Sequence, residues 1–155
     1  MKMSTKGRYA VMALIDIGQH SGGEPVSLAE IAERQDISQE YLEQLFGKLR
    51  RAGLVESARG PGGGYRLARG MNEIPVADIV LAVDEELRVT RCDGDAVDGC
   101  VTGERCNAHD LWSSLGRQMM NFLGSITLED VVQKRNLALA ATIKQTKDRH
   151  VRQPA

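Results

Sequence analysis

A chain of 155 residues accommodates one domain of ordinary size, or a small domain with an added helical arm. With 42% hydrophobic and 26% charged residues it has the composition of a folded globular protein, which excludes a disordered or fibrous bulk. Its longest apolar stretches, 10–15 and 79–83, fall far short of the roughly 20 residues a membrane span needs. The opening Met-Lys-Met-Ser-Thr-Lys-Gly-Arg leads into an amphipathic pattern with no small-residue cleavage site, so a cytoplasmic protein without an export signal is expected.

The net charge of −1 conceals clustering. Between Phe46 and Gly70 six basic residues (Lys48, Arg50, Arg51, Arg59, Arg66, Arg69) face one acid, Glu56, a balance of +5. From Met71 to Asp110 three arginines face ten acids, giving −7, and the last 45 residues recover +4. A cationic run of this size attracts phosphate. It is equally what a solvated face looks like, so charge alone does not identify a partner.

Tyr9, Met12, Ala13 and Ile17 fall at helical spacing behind Ser4 and Thr5, which predicts a first helix ending near His20. Ser21-Gly22-Gly23-Glu24-Pro25 breaks it, and Ser27-Leu28-Ala29-Glu30 has the spacing of a capping box that starts a short second helix. Gln35-Asp36-Ile37 forms a turn and Ser38 caps a third helix. There Leu42, Leu45, Phe46 and Leu49 repeat as an apolar stripe, leaving Gln39, Glu40, Glu43, Gln44, Lys48, Arg50 and Arg51 outward. Two short helices joined by a tight turn, the second with a polar face, form the helix-turn-helix arrangement that enters a major groove.

Gly53 ends the third helix, and residues 54–58 and 65–67 read as strands around Arg59-Gly60-Pro61-Gly62-Gly63-Gly64. This predicts a β-hairpin wing. Its small residues let the backbone approach another surface closely while Arg59 reaches into a narrow, electronegative groove. A Walker phosphate loop is excluded because Tyr65-Arg66-Leu67 follows where lysine and a hydroxyl residue are required.

Pro75 is placed as the first residue of a fourth helix carrying Val76, Ile79, Val80 and Val83 and ending near Glu86. Beyond Asn107, residues Leu111, Leu115, Met119, Phe122 and Ile126, with Trp112 and Leu123 alongside, resemble a coiled-coil seam, and such a helix needs a partner. Thr127 caps a last short helix, and the end from about Lys144 reads as disordered. The expected fold is mainly α, a winged helix-turn-helix DNA-binding domain with a long C-terminal dimerisation helix. Its expected divisions are 1–72 for DNA binding, 73–107 for a linking helix and cofactor loop, 108–135 for dimerisation and 136–155 for a disordered tail.

The segment between the fourth helix and the long one carries Cys92, Cys100 and Cys106, all the cysteines of the chain, with His109 three residues after the last. An odd number of cysteines without an export signal argues against a disulfide framework. Three thiolates and an imidazole suit tetrahedral zinc, although structural zinc sites usually contain closely spaced cysteine pairs. The intervals here are seven, five and two residues, and wide intervals suit a larger object such as an iron–sulfur cluster. An imidazole ligand removes one negative charge and makes the bond acid-labile. Asp93, Asp95, Asp98, Glu104 and Asp110 crowd the same stretch, and their field opposes retention of an anionic group. No serine, histidine and acid constellation points to catalysis.

Four blocks, Thr5-Lys6-Gly7-Arg8-Tyr9-Ala10-Val11, Tyr41-Leu42-Glu43-Gln44-Leu45-Phe46, Arg59 to Tyr65, and Ala82-Val83-Asp84-Glu85 leading to Arg91-Cys92, resemble the IscR family of bacterial iron–sulfur cluster regulators. The resemblance covers residues 1 to about 135. It implies a homodimeric repressor of cluster-assembly genes that binds palindromic promoter DNA, with cluster state altering operator choice. It further implies a [2Fe–2S] cluster held by Cys92, Cys100, Cys106 and His109, with cluster donor proteins as partners. By position, Tyr41, Glu43 and Gln44 would enter the major groove and Arg59 with Gly60 the minor groove, with Ser38, Gln39, Glu40, Lys48, Arg51, Pro61 and Gly62 as further DNA-binding positions. The family's best-known members have five residues, not seven, between the first two cysteines, and a small polar residue where Glu40 stands. The related NsrR and RirA regulators carry three cysteines here and bind [4Fe–4S] clusters, which remains the alternative; His109 favours the IscR likeness.

Overall fold

A computed structural model describes residues 4–83 and 105–134. Ser4 caps α1 (Thr5–His20) by accepting the Gly7 amide at 3.2 Å. The capping box expected at Ser27 forms at the start of α2 (Leu28–Gln35): the Glu30 amide donates to Ser27 Oγ and the Glu30 carboxylate accepts from the Ser27 amide at 2.9 Å. Asp36 turns the chain through the left-handed region at φ 53°, and Ser38 caps α3 (Gln39–Arg51). Gly53, at φ 71°, releases the chain from α3 into the hairpin β1 (Val55–Ala58) and β2 (Gly64–Leu67), antiparallel with Val55 opposite Leu67 and Ala58 opposite Gly64.

A 3-10 turn at Met71–Glu73 that periodicity did not reveal precedes α4 (Val76–Val83). Pro75, expected inside that helix, stands just before it and bridges to Thr127. α5 (His109–Ser125) and α6 (Leu128–Val132) follow, with α6 capped by Thr127 as expected. Ile126 departs from the seam. It lies after α5 in an extended segment, 2% exposed, and packs with Val76 and Val80. The expected end of the fourth helix near Glu86, Cys92 and Cys100, and the 136–155 tail all lie outside the described residues.

The core gathers Ala10, Ala13, Leu14 and Ile17 of α1, Ile31 of α2, the whole predicted stripe Leu42, Leu45, Phe46 and Leu49 of α3, and Ile79 and Val83 of α4. Phe46 is fully buried and meets Tyr65 of the wing with ring centroids 4.7 Å apart. α4 is apolar nearly all round because two faces are covered. Ile79 and Val83 enter the main core, whereas Val76 and Val80 join Ile126 and Leu123 in a second cluster under α5 and α6. Backbone bonds from Val76 to Ile126 and from Leu128 to Ile74, each 2.9 Å, pin the two ends of that cluster together.

One carboxylate is deep in this fold. Asp16 of α1 is fully buried and accepts a bidentate bond from Arg34 (Nη2 at 2.6 Å, Nε at 3.0 Å) and another from Gln35 at 2.8 Å. Burial by itself would raise its pKa. The hydrogen bonds from Arg34 and Gln35, with the charges of Arg34 and His20, outweigh burial and hold it below the ordinary aspartate range. The network ties α1 to α2, the first helix of the helix-turn-helix.

A folded-state pKa held below the unfolded value contributes stability that is present at neutral pH and lost as pH falls through the folded-state value. Asp16→Asn should therefore cost about 2–3 kcal/mol at pH 7, less than for a fully enclosed ion pair because Arg34 keeps 31% of its side chain in water. The gap between variant and parent in urea denaturation should narrow as the pH drops to about 3, below the usual aspartate value; a gap that widens contradicts the assignment.

Candidate nucleic-acid interface and metal-ligand segment

α3 divides cleanly. Its stripe is buried, while Ser38, Gln39, Glu40, Glu43, Gln44 and Arg51 are exposed, so one helix satisfies the core and leaves a polar face to solvent. Tyr41 is half-buried, its ring edge-on to Tyr9 with centroids 5.8 Å apart. The Glu43 carboxylate accepts from Gln39 Nε2 at 3.3 Å, one turn earlier. Tyr9 and Thr5 of α1 lie beside Ser38 and Tyr41 around one shallow cavity. Sequence reasoning did not connect them, because contact between the starts of two helices 33 residues apart leaves no periodic signal.

The wing tip presents Arg59, Gly60, Pro61 and Gly62, all exposed. A turn closes it, with the Gly63 amide donating to the Gly60 carbonyl at 2.9 Å, and Gly60 and Gly62 take φ 98° and 74°, which β-carbon-bearing residues adopt at a cost. The wing is anchored at its base. Val26 and Tyr65 exchange backbone bonds of 2.9 and 2.8 Å, adding a one-residue third strand, and a β-carbon on Gly64 would collide with the Val26 carbonyl. The hairpin is thereby fastened to the segment leading into α2, and recognition helix and wing tip are held by one frame.

The basic run is less concentrated than its sequence suggests. Arg66 pairs with Glu56 across the hairpin at 3.4 Å, and Arg69 with Asp78 of α4 at 3.6 Å. Lys48, expected on the DNA-facing surface, is turned the other way. It is half-buried, and its Nζ donates to the Val83 carbonyl of α4 at 3.1 Å. The reason is its place on the helix: one residue before Leu49 of the buried stripe, it lies on the border between the two faces and within reach of Val83 of α4. Arg50, Arg51 and Arg59 are exposed and have no acidic partner among the described residues.

Of the four expected ligands, Cys106 and His109 are described. The His109 amide donates to the Cys106 carbonyl at 3.0 Å, folding both residues into the turn that opens α5. Cys106 is half-buried and in no disulfide; His109 is 6% exposed, with Ser113 Oγ 3.4 Å from its Nε2. Among the described residues no three histidine, cysteine or acidic side chains converge to hold a metal ion. A thiol and an imidazole one turn apart, at a helix start that favours negative charge, have the donor chemistry of half an iron–sulfur ligand set. Elsewhere on α5, Leu111, Trp112 and Phe122 are 63, 40 and 39% exposed. No described helix is long and apolar enough to cross a membrane.

The sequence matches the Rrf2 family, described as an iron-dependent transcriptional regulator, over residues 3–134. It is 53% identical over 137 residues, 88% of this chain and 82% of the relative, to a putative HTH-type transcriptional regulator, ORF2, of Azotobacter vinelandii. It is 51% identical, with the same coverage, to the HTH-type transcriptional regulator IscR of Xenorhabdus nematophila. Among solved structures, T. potens IscR superposes with a TM-score of 0.70 at 40% identity, covering 89% of this chain and 90% of that one. With its buried-stripe recognition helix and strapped wing, the chain belongs to the Rrf2 family of winged-helix transcriptional regulators and is not an enzyme.

Proposed function

We propose that the chain is a cytoplasmic, homodimeric repressor of iron–sulfur cluster assembly genes whose operator choice follows the state of a cluster bound by Cys92, Cys100, Cys106 and His109. The observation that carries this reading is the Cys106–His109 turn, whose backbone bond of 3.0 Å places a thiol-bearing residue and a residue with a buried imidazole one turn apart at the foot of α5. When bound, a [2Fe–2S] cluster would supply an oxidant-sensitive and acid-sensitive cross-link between its ligands. Cys92 and Cys100, which lie between α4 and α5 in the chain, would then be joined to the start of α5. Cluster donor proteins are the implied partners for loading.

The proposed division of labour follows the expected segments. Residues 1–72 read DNA, residues 73–107 link that unit to the ligands, and residues 108–135 dimerise. α5 supports the last point, since Leu111, Trp112 and Phe122 are apolar and uncovered and a second copy of the helix is the natural cover. Two symmetry-related units would then place two α3 helices in successive major grooves of a palindrome. Ser38, Gln39, Tyr41, Glu43 and Gln44 face the base edges in this reading, with Glu40 and Arg51 at the border. Arg59 enters the minor groove, and Gly60, Pro61 and Gly62 let the tip approach. The Glu43 carboxylate accepts from cytosine N4 and repels the acceptor edge of guanine, which makes it the residue suited to discriminate between two operator classes.

Anaerobically purified protein should be coloured and should carry iron and sulfide in equal amounts. Cys92→Ala, Cys100→Ala or Cys106→Ala should abolish both while circular dichroism and the dimer persist. Stoichiometric iron and sulfide in those variants contradicts the ligand set, and colourless zinc-loaded protein replaces it with a structural metal. Mössbauer spectra separate [2Fe–2S] from the [4Fe–4S] alternative.

Binding to a specific duplex should weaken steeply with salt. Arg59→Ala should lose about 1–3 kcal/mol of affinity, read by fluorescence anisotropy. Unchanged affinity removes the wing from the interface.

A further inference from the structure

Among the described residues, one hydrogen bond joins two side chains of the reading face of α3. Gln39 is the first residue of that helix, and its Nε2 donates to Glu43 Oε1 at 3.3 Å. Both side chains are exposed. Residues four apart lie above one another on a helix surface, so the bond spans the first turn without distorting it. It also settles the orientation of a group that is otherwise ambiguous. A primary amide carries a donor on one branch and an acceptor on the other, and a free glutamine turns over to suit either kind of base edge. Beside an ionised carboxylate, which only accepts, turning over would set the amide oxygen against the carboxylate oxygens.

The bond therefore holds Nε2 toward Glu43. Gln39 Oε1 and Glu43 Oε2 are left with no partner among the described residues, two acceptors at the start of a recognition helix, the part that reaches base edges. In the major groove adenine N6 and cytosine N4 donate, whereas guanine N7 and O6 and thymine O4 only accept. Acceptor oxygens held side by side take the first kind of edge and repel the second. Glu40, exposed next to Gln39, adds another carboxylate to the same end of the helix. Carboxylates set against a phosphate-rich ligand are repelled by it, so their use lies in what they reject.

We propose that Gln39 and Glu43 read DNA as one unit, in which the carboxylate fixes the amide so that the pair selects adenine or cytosine at two neighbouring steps and excludes guanine and thymine. This rests on the DNA-reading function proposed above and adds to it the class of base in the operator and a specificity-determining role for Gln39. It does not depend on the cluster.

The test uses the full-length protein, purified anaerobically, and a library of duplexes randomised through the half-site. The bound fraction is sequenced and its members are titrated by fluorescence anisotropy. The parent should prefer adenine or cytosine over guanine or thymine by about tenfold at two neighbouring positions, the scale of one well-formed base contact. Gln39→Leu should bring the preference at one of them to within about twofold of unity, which assigns that position to Gln39. Its salt dependence should match the parent's, since no phosphate contact is lost. Glu43→Ala leaves Gln39 in place and frees its amide to turn over. The position assigned to Gln39 should then accept guanine as readily as adenine, a change that a general loss of structure does not produce.

A parent that prefers guanine or thymine at the position assigned to Gln39 overturns the proposal. So does a Gln39→Leu protein that selects the parental motif unchanged or weakens evenly on every duplex. A Glu43→Ala protein that still restricts that position to adenine or cytosine also overturns it. A parent that enriches no motif defeats the DNA-reading function and the paired reading with it, which separates that failure from a failure of Gln39 and Glu43 in a protein that reads DNA.

Discussion

Burial of Leu42, Leu45, Phe46 and Leu49 is the constraint on which the rest of the molecule depends. All four are within 2% of full burial, against α1 on one side and α4 on another, and at ~1.5–3 kcal/mol for each large apolar side chain removed from water they hold α3 in one rotational setting. Because the helix repeats every 3.6 residues, fixing that stripe also fixes which residues face away from it. Gln39, Glu40, Glu43 and Gln44 are exposed together because the stripe is buried together. The reading face of this regulator is thus the complement of its core.

A second layer of constraint converts the setting of one helix into the setting of an interface. Asp16 clamps α2 to α1 through Arg34 and Gln35, and the Val26–Tyr65 bridge straps the wing to the entrance of α2. Phe46 closes the circuit by packing at a tilt against the ring of Tyr65. Each tie is local, and their sum is a frame in which recognition helix and wing tip cannot move independently. A duplex presents its major and minor grooves at fixed offsets, so a rigid reader loses less conformational freedom on binding than a jointed one.

α4 is where this frame meets the C-terminal helices α5 and α6. It is buried on two faces, shares the main core with α1 and α3, and supports α5 through the second cluster of Val76, Val80 and Ile126. A helix so placed is fixed from two sides, because close-packed interiors leave it little room to shift.

Helix starts, the capping box at Ser27, the stripe of α3, the glycine-tipped hairpin and the cap at Thr127 were legible in the amino-acid order, because each is decided by residues within about four positions of one another. The same holds for Cys106 and His109, whose neighbourhood is a single turn. The side on which Lys48 lies, the pairing of Arg66 and Arg69 with acids, the removal of Ile126 from the α5 face to the underside of α4, and the meeting of Tyr9 with Tyr41 were decided only by the tertiary structure. A long flexible side chain on the border of two helix faces goes to whichever partner the packing brings near, and counting charges along the chain cannot name that partner. Local order therefore determined the elements and their faces, and packing determined which polar groups remained free to meet DNA.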